Sequence, residues 1–219
     1  MSKYKTVIFD LDGTLLDTLE DLCDSTNFAL ARFGYPERTL SEVRSFVGNG
    51  IGKLIERALP CGVATSEYDA VLAEFKAHYA TNCNNKTKAY DGIYNLLDSL
   101  KSSGIKLAVV SNKVDSAVKE LCSRYFREYF EVAVGEKTGI RRKPAPDSVF
   151  AAMETFGAKK GSTVYIGDSE VDVETAKNAE IDLIAVSWGF RDREVLAALC
   201  DCHIADEPKE IEEFIFKIQ

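Results

Sequence analysis

The chain has 219 residues, 46% of them hydrophobic and 28% charged, which suits one large domain or a small pair. That composition excludes disorder, collagen and coiled coil. Its 27 basic and 35 acidic residues leave a formal charge of −8, unfavourable for non-specific binding to nucleic acid or an anionic membrane. An anionic substrate would therefore need a metal ion or a few local cations beside it.

The first predicted element is a β-branched and aromatic run at 4–10 (YKTVIFD), a buried strand ending at Asp10. The stretch 17–85 then reads as three or four helices, about 18–33, 40–46, 50–59 and 66–82, with no strand between them. A polar run, Asn82 to Lys88, closes it as a linker. From there helical patterns at 92–102, 114–124, 146–157 and 169–179 alternate with strand patterns at 105–111, 131–134, 162–168 and 182–187. The expected fold class is α/β: a doubly wound parallel sheet, with a small all-helical cap domain inserted after the first strand. The expected boundaries are 1–16 and 86–219 for the core and 17–85 for the cap. Right-handed crossovers would bring every strand's C-terminal end to one edge of the sheet, where open α/β sheets bind ligands. A helical insert over that edge, with two crossing segments, has the parts that lid closure needs.

No apolar run approaches the ~18 residues of a membrane span. The N-terminal MSKYKTVIFD has too short an apolar stretch for a secretion signal, so the expected address is the cytoplasm. There the six cysteines, Cys23, Cys61, Cys83, Cys122, Cys200 and Cys202, read as free thiols. The cluster Cys200-Asp201-Cys202-His203 lacks a fourth ligand beyond the distant His78, and reads as a short edge strand. Two histidines and no G-x-S-x-G or H-E-x-x-H leave little room for histidine-based hydrolysis. No cysteine is followed six positions later by arginine. Gly48-Asn49-Gly50-Ile51-Gly52-Lys53 is one residue short of a P-loop and lacks G-x-G-x-x-G spacing.

Aspartate remains, and it gathers at strand ends. Asp10 and Asp12 stand in Asp10-Leu11-Asp12-Gly13-Thr14, and Ser111-Asn112 closes the second core strand. Lys143 lies in Arg142-Lys143-Pro144. Asp168 ends a further strand, and Asp172 follows at i+4 on the same helix face. Each alone is compatible with a turn, a helix cap or a solvated loop charge. Together, in order at successive strand ends, they form a site. Converging carboxylates repel unless a cation sits among them, and oxygen-only ligation suits Mg²⁺ bridging to phosphate. Thr14, Ser111, Asn112 and Lys143 would then hold a phosphoryl group. The chemistry this assembles is a carboxylate attacking phosphorus while a second carboxylate moves a proton.

These residues resemble the haloacid dehalogenase superfamily, whose four motifs occur here in order: Asp10-Leu11-Asp12-Gly13-Thr14-Leu15, Ser111, Lys143, and Gly167-Asp168 through Asp172. The resemblance runs from residue 5 to about 190. It implies that Asp10 is the nucleophile that becomes an aspartyl-phosphate and that Asp12 is the general acid and base. It implies Mg²⁺ held by Asp10, the Asp12 backbone carbonyl and Asp168, with Asp172 supporting the metal. It implies phosphoryl binding by Gly13, Thr14, Ser111, Asn112 and Lys143, the lysine also offsetting charge on Asp10. Dehalogenases and phosphonoacetaldehyde hydrolases of the superfamily lack an acid at the Asp12 position, so phosphate esters are favoured. One departure is Glu180, where relatives usually carry a helix-capping glycine.

The segment Arg44 to Lys53 is similar to the caps of phosphoglycolate phosphatases, as are Ser111-Asn112-Lys113 and Trp188-Gly189-Phe190. On spacing alone, Arg44, Gly48, Asn49, Gly50 and Lys53 fit an anion site at a helix start or a plain loop-to-helix junction equally well. The expected function is Mg²⁺-dependent hydrolysis of a small phosphorylated metabolite, 2-phosphoglycolate first. Pyrophosphate, nucleoside monophosphates, a β-phosphoglucomutase-like mutase reaction and a non-catalytic phosphate-binding module are the alternatives. The expected assembly is a monomer or weak homodimer, with no nucleic-acid or membrane partner.

Overall fold

A computed structural model describes residues 2–217 and divides the chain into two compact units. One is Leu16–Lys88; the other is everything up to Leu15 together with Ala89 onward. In chain order the elements begin with β1 (Thr6–Phe9) and β2 (Leu16–Asp17). Helices α1 (Leu19–Arg32), α2 (Leu40–Phe46), α3 (Gly50–Ala58) and α4 (Thr65–Asn82) follow, then β3 (Lys88–Ala89), which pairs with β2. Next come α5 (Ile93–Ser102), β4 (Lys106–Val114), α6 (Asp115–Tyr125), β5 (Val132–Glu136) and α7 (Asp147–Phe156). The chain ends with β6 (Thr163–Gly167), α8 (Glu170–Ala179), β7 (Asp182–Val186), α9 (Arg193–Leu199), β8 (His203–Ala205) and α10 (Pro208–Lys217).

The larger unit is a six-stranded parallel sheet in the order β5-β4-β1-β6-β7-β8. Strand β1 is buried at every residue, as β-branched and aromatic side chains on both faces require. On one face Ile8, Ala108, Val110, Val134 and Tyr165 pack against Val149, Ala152 and Met153 of α7 and Ala176 and Ala179 of α8. Val7 and Phe9 point the other way, and the Phe9 ring meets Phe130 edge-on at 6.0 Å. Ile8 lies in register with Ala108 on one side and Tyr165 on the other. From β1 the connections run outward through β4 to β5, then return across β1 to build β6, β7 and β8. Residue 10 therefore leaves the sheet at the point where strand order reverses, the preferred ligand crevice of such folds.

Three local features differ from the sequence reading. Strand β4 continues to Val114 through an irregularity after Val110, beyond the expected strand end at 111, so Lys113 is part of the strand. Gly135 permits this: a Cβ there would lie 2.6 Å from the Lys113 carbonyl oxygen and 2.5 Å from the Asp115 Cα. Second, the edge strand starts at His203, and Cys200 and Cys202 form a disulfide instead of standing as free thiols. A bend before β8 brings their Cα atoms to 5.4 Å, within the bridging range. His203 instead stacks on Phe214, centroids 4.1 Å apart. The other four cysteines are free. Third, Glu180 takes the left-handed cap position itself (φ 57°, ψ 44°), the one non-glycine residue with positive φ among the described residues.

The smaller unit is held by α1 against α4, whose Val71, Phe75 and Tyr79 form one buried stripe at i, i+4 and i+8. Asp21 on α1 is 1% exposed and accepts the Lys86 and Thr87 backbone N–H groups and the Thr87 hydroxyl. A capping box between Thr39 and Glu42 starts α2.

Candidate active site

Asp10 follows the last residue of β1, and its backbone N–H donates to the Ile166 carbonyl at 2.8 Å. Its Oδ1 accepts the Leu11 N–H at 2.7 Å and the Lys143 ammonium at 2.9 Å. Its Oδ2 has no partner among the described residues. Two positions on, after the chain turns, Asp12 Oδ1 accepts Lys113 Nζ at 2.9 Å. Gly13 completes the turn at φ 85°, where a Cβ would lie 2.4 Å from Asp168 Oδ2. Both the conformation and the space demand glycine.

Lys143 is 4% exposed and forms the hub. Besides Asp10, its Nζ donates to Asp172 Oδ1 at 2.8 Å and to the Tyr165 hydroxyl at 3.0 Å. Asp168 extends from the end of β6 and Asp172 from the first turn of α8. Asp172 closes a capping box: its Oδ2 accepts the Ser169 hydroxyl at 2.6 Å and the Ser169 and Asp168 N–H groups. Its Oδ1 also accepts the Tyr165 hydroxyl at 3.1 Å. Asp168 is fully buried, its Oδ1 accepting the Thr14 hydroxyl at 3.1 Å and its Oδ2 the Phe190 N–H at 2.7 Å. The sequence reading put the Thr14 hydroxyl on a phosphoryl group; in the structure it braces Asp168. Ser111 Oγ accepts the Lys113 N–H at 3.1 Å, leaving its own O–H to donate. Asn112 Nδ2 donates to the Lys143 carbonyl at 3.0 Å and tethers that loop, while its Oδ1 is buried without a partner.

These contacts set the electrostatics. Burial pushes the Asp10 carboxyl up to about 7; Lys143 opposes the shift and Asp172 adds to it. Burial, with Asp172 and Asp10 nearby, holds Asp168 well above the ordinary carboxylate range. Burial also works against the charge on Lys143, but Asp10 and Asp172 outweigh it and keep the ammonium well above its usual value. Three carboxylates are thus buried here, and the Lys143 ammonium pairs with two of them, Asp10 and Asp172. Asp10, Asp168 and Asp172 present carboxylate oxygens within 4.8 Å of one another, the one such group of metal-capable side chains among the described residues. An all-oxygen donor set with surplus negative charge fits a hard divalent cation such as Mg²⁺. Asp172 is already saturated by five donors. Asp10 and Asp168 are therefore the side chains best placed to hold the ion.

The family model described as haloacid dehalogenase-like hydrolase matches residues 7–186. The chain belongs to that family. A phosphoglycolate phosphatase of Pseudomonas syringae pv. syringae is 32% identical over 213 residues, covering 94% of this chain and 78% of its own. One from Aquifex aeolicus is 33% identical over 187 residues, covering 85% and 86%. Among solved structures, a candidate phosphoglycolate phosphatase from Lactobacillus delbrueckii subsp. bulgaricus superposes with a TM-score of 0.94. It is 39% identical and covers 97% of this chain and 98% of its own.

The structure brings Asp10, Lys143, Asp168, Asp172 and Thr14 into one bonded network, and Asn112 joins it through the Lys143 carbonyl. Ser111 and Asp12 connect through Lys113. Arg44, Gly48, Asn49, Gly50 and Lys53 lie in the smaller unit, on α2, its link to α3 and the first turn of α3. There Lys53 pairs with Glu56 of its own helix at 2.7 Å. Sequence reasoning gave no role to three contributors: Lys113 on Asp12, Tyr165 on Lys143, and the Phe190 N–H on Asp168. Gly189 makes the last contact possible, since a Cβ there would lie 2.2 Å from the Gly13 carbonyl oxygen. The signals were present, a lysine two residues after a strand-end serine and a tyrosine inside an otherwise aliphatic strand, but only contacts give them meaning.

Proposed function

We propose that this chain is a Mg²⁺-dependent phosphomonoester hydrolase that works through an aspartyl-phosphate, with 2-phosphoglycolate as its substrate. The family supports the reaction class, and the relatives named as phosphoglycolate phosphatases support the substrate. The observation that carries the mechanism is the state of Asp10: one oxygen held by Leu11 and Lys143, the other uncommitted at the sheet's reversal point.

In this reading Asp10 Oδ2 attacks phosphorus as the bond to the leaving oxygen breaks. Asp12 gives that oxygen its proton, because an alkoxide is a poor leaving group. Asp12 then takes a proton from water, which attacks the same phosphorus and releases phosphate with Asp10 restored. The Ser111 hydroxyl and the Lys143 ammonium hold the phosphoryl oxygens, and Lys143 also aligns Asp10. A divalent cation held by Asp10, Asp168 and the Asp12 carbonyl would supply charge neutralisation to the transferring group. The helical segment 17–85 is proposed as the cap domain, and Arg44, Gly48, Asn49, Gly50 and Lys53 as its anion-binding residues. The substrate is then a small cytoplasmic metabolite, and the enzyme a monomer or weak homodimer. No helix among the described residues is long and apolar enough to cross a membrane.

The test is phosphate release with Mg²⁺ over 2-phosphoglycolate, pyrophosphate, nucleoside monophosphates, hexose phosphates and p-nitrophenyl phosphate, with Asp10→Asn as control. A kcat/KM preference for 2-phosphoglycolate that disappears in a folded Asp10→Asn variant is the expected result. A shifted profile would discard the substrate, and retained turnover in Asp10→Asn would discard the nucleophile.

A further inference from the structure

The ion pair between Lys113 and Asp12 has no part in the chemistry above, yet it is built with care. Lys113 Nζ donates to Asp12 Oδ1 at 2.9 Å across 101 residues of sequence, with side chains only 8% and 18% exposed. A lysine loses about 2 kcal/mol of rotamer freedom when it is ordered, so one this enclosed needs a partner. The backbone beneath it is fixed from both sides. The Lys113 N–H donates to Ser111 Oγ, the Asp115 carboxylate accepts the Gly135 N–H, and Gly135 lets β5 close onto the Lys113 carbonyl. Helix α6 starts at Asp115, so the strand end that carries Lys113 is anchored on three elements.

We infer that Lys113 is a positioning residue for proton delivery: its ammonium captures Asp12 Oδ1 and so turns Oδ2 toward the leaving oxygen. This rests on the hydrolase reading, in which Asp12 is the proton donor, and adds a residue to it. The argument is geometric. Asp12 stands just beyond β1 and immediately before Gly13 at φ 85°, and its carboxylate turns on two side-chain bonds. Lys143 cannot hold it, being occupied by Asp10, Asp172 and Tyr165. Lys113 is the partner that the structure gives to the Asp12 carboxylate. Pinning one oxygen removes the rotation and leaves the other as the single route for the proton.

A residue that aims a general acid matters in proportion to how badly the leaving group needs a proton. The experiment therefore compares kcat/KM, which reports only the steps through departure of the leaving group, for phenyl, p-nitrophenyl and 2,4-dinitrophenyl phosphates. None of these carries a second anionic group that Lys113 could bind. General-acid assistance is worth about 10²–10⁴-fold. Lys113→Met should accordingly lose at least about ten-fold on phenyl phosphate, with the loss shrinking steadily toward the dinitrophenyl ester. Lys113→Arg, which keeps a cation in reach of Asp12, should restore much of the original dependence on leaving group. An equal loss on all three esters with the protein still folded would overturn the inference, marking Lys113 as a phosphoryl ligand or a structural brace. A loss confined to carboxylate-bearing esters such as 2-phosphoglycolate would overturn it in favour of a substrate-carboxylate contact. If the unmodified enzyme shows no Asp10-dependent release from any ester, the hydrolase reading itself falls, and the role of Lys113 with it.

Discussion

Stripping divalent cations should make the protein lose stability as the pH rises from 5 to 8, the reverse of ordinary acid denaturation. Folded Asp10 titrates at about 7, raised by burial, whereas an unfolded aspartate titrates at about 3.9. The folded chain therefore holds a proton that the unfolded chain has released, so stability falls with rising pH. The contribution is fully present below about pH 4 and gone once the pH passes 7. The shift corresponds to about 4 kcal/mol in all, of which about 2–3 kcal/mol falls between pH 5 and 8. Asp168, raised by burial, acts in the same direction. Carboxylates with lowered values, such as Asp147 beside Arg141 and Asp206 beside Ser187 and Arg193, lose their stabilisation only as pH falls below about 4, outside this window. For a chain of this size about 2–3 kcal/mol is a Tm drop of roughly 5–10 °C. Mg²⁺ held as proposed, by the deprotonated carboxylates of the folded state alone, would add about 2.7 kcal/mol at a hundred times its Kd and flatten the profile. The assay is thermal melting in EDTA and in Mg²⁺ at pH 5, 6, 7 and 8. Superimposable melts, or a Tm in EDTA that rises across the window, would refute the reasoning.

Two further outcomes are expected. Glu180→Gly relieves an αL conformation that costs a side-chain-bearing residue about 1–2 kcal/mol. Part of that gain is offset by the greater chain entropy of unfolded glycine, so Tm should rise about 1–4 °C. The Lys160–Glu180 pair lost in the process is solvent-exposed and contributes little; an unchanged or lower Tm would contradict this account. Lys53→Ala should raise KM for 2-phosphoglycolate more than for p-nitrophenyl phosphate, with little effect on Tm because its pair with Glu56 is also exposed. Equal KM changes for both substrates would reduce the Arg44–Lys53 segment to scaffolding.

By itself the sequence determined the elements that depend on near neighbours. The aliphatic run ending at Asp10 could only be a buried strand, and alternating strand and helix periods could only build a parallel sheet covered on both faces. Ser169 and Asp172, three apart at a helix start, had the spacing of the capping box that forms there. The acids at successive strand ends were legible for the same reason, since crossover handedness sends those ends to one edge.

Tertiary structure decided everything that depends on which distant atoms meet. Strand order placed β1 between β4 and β6, and only then could Lys143 reach Asp10 and Asp172 while Lys113 reached Asp12. The Thr14 hydroxyl went to Asp168 because Gly13 and Gly189 let that carboxylate press against the first loop, a clearance that no spacing rule encodes. The Cys200–Cys202 bridge arose from a bend where alternation suggested a strand. Periodicity is a property of neighbours along the chain, whereas charge pairing and close approach belong to neighbours in space. The general chemistry was therefore readable in one dimension, and the partner of each carboxylate oxygen only in three.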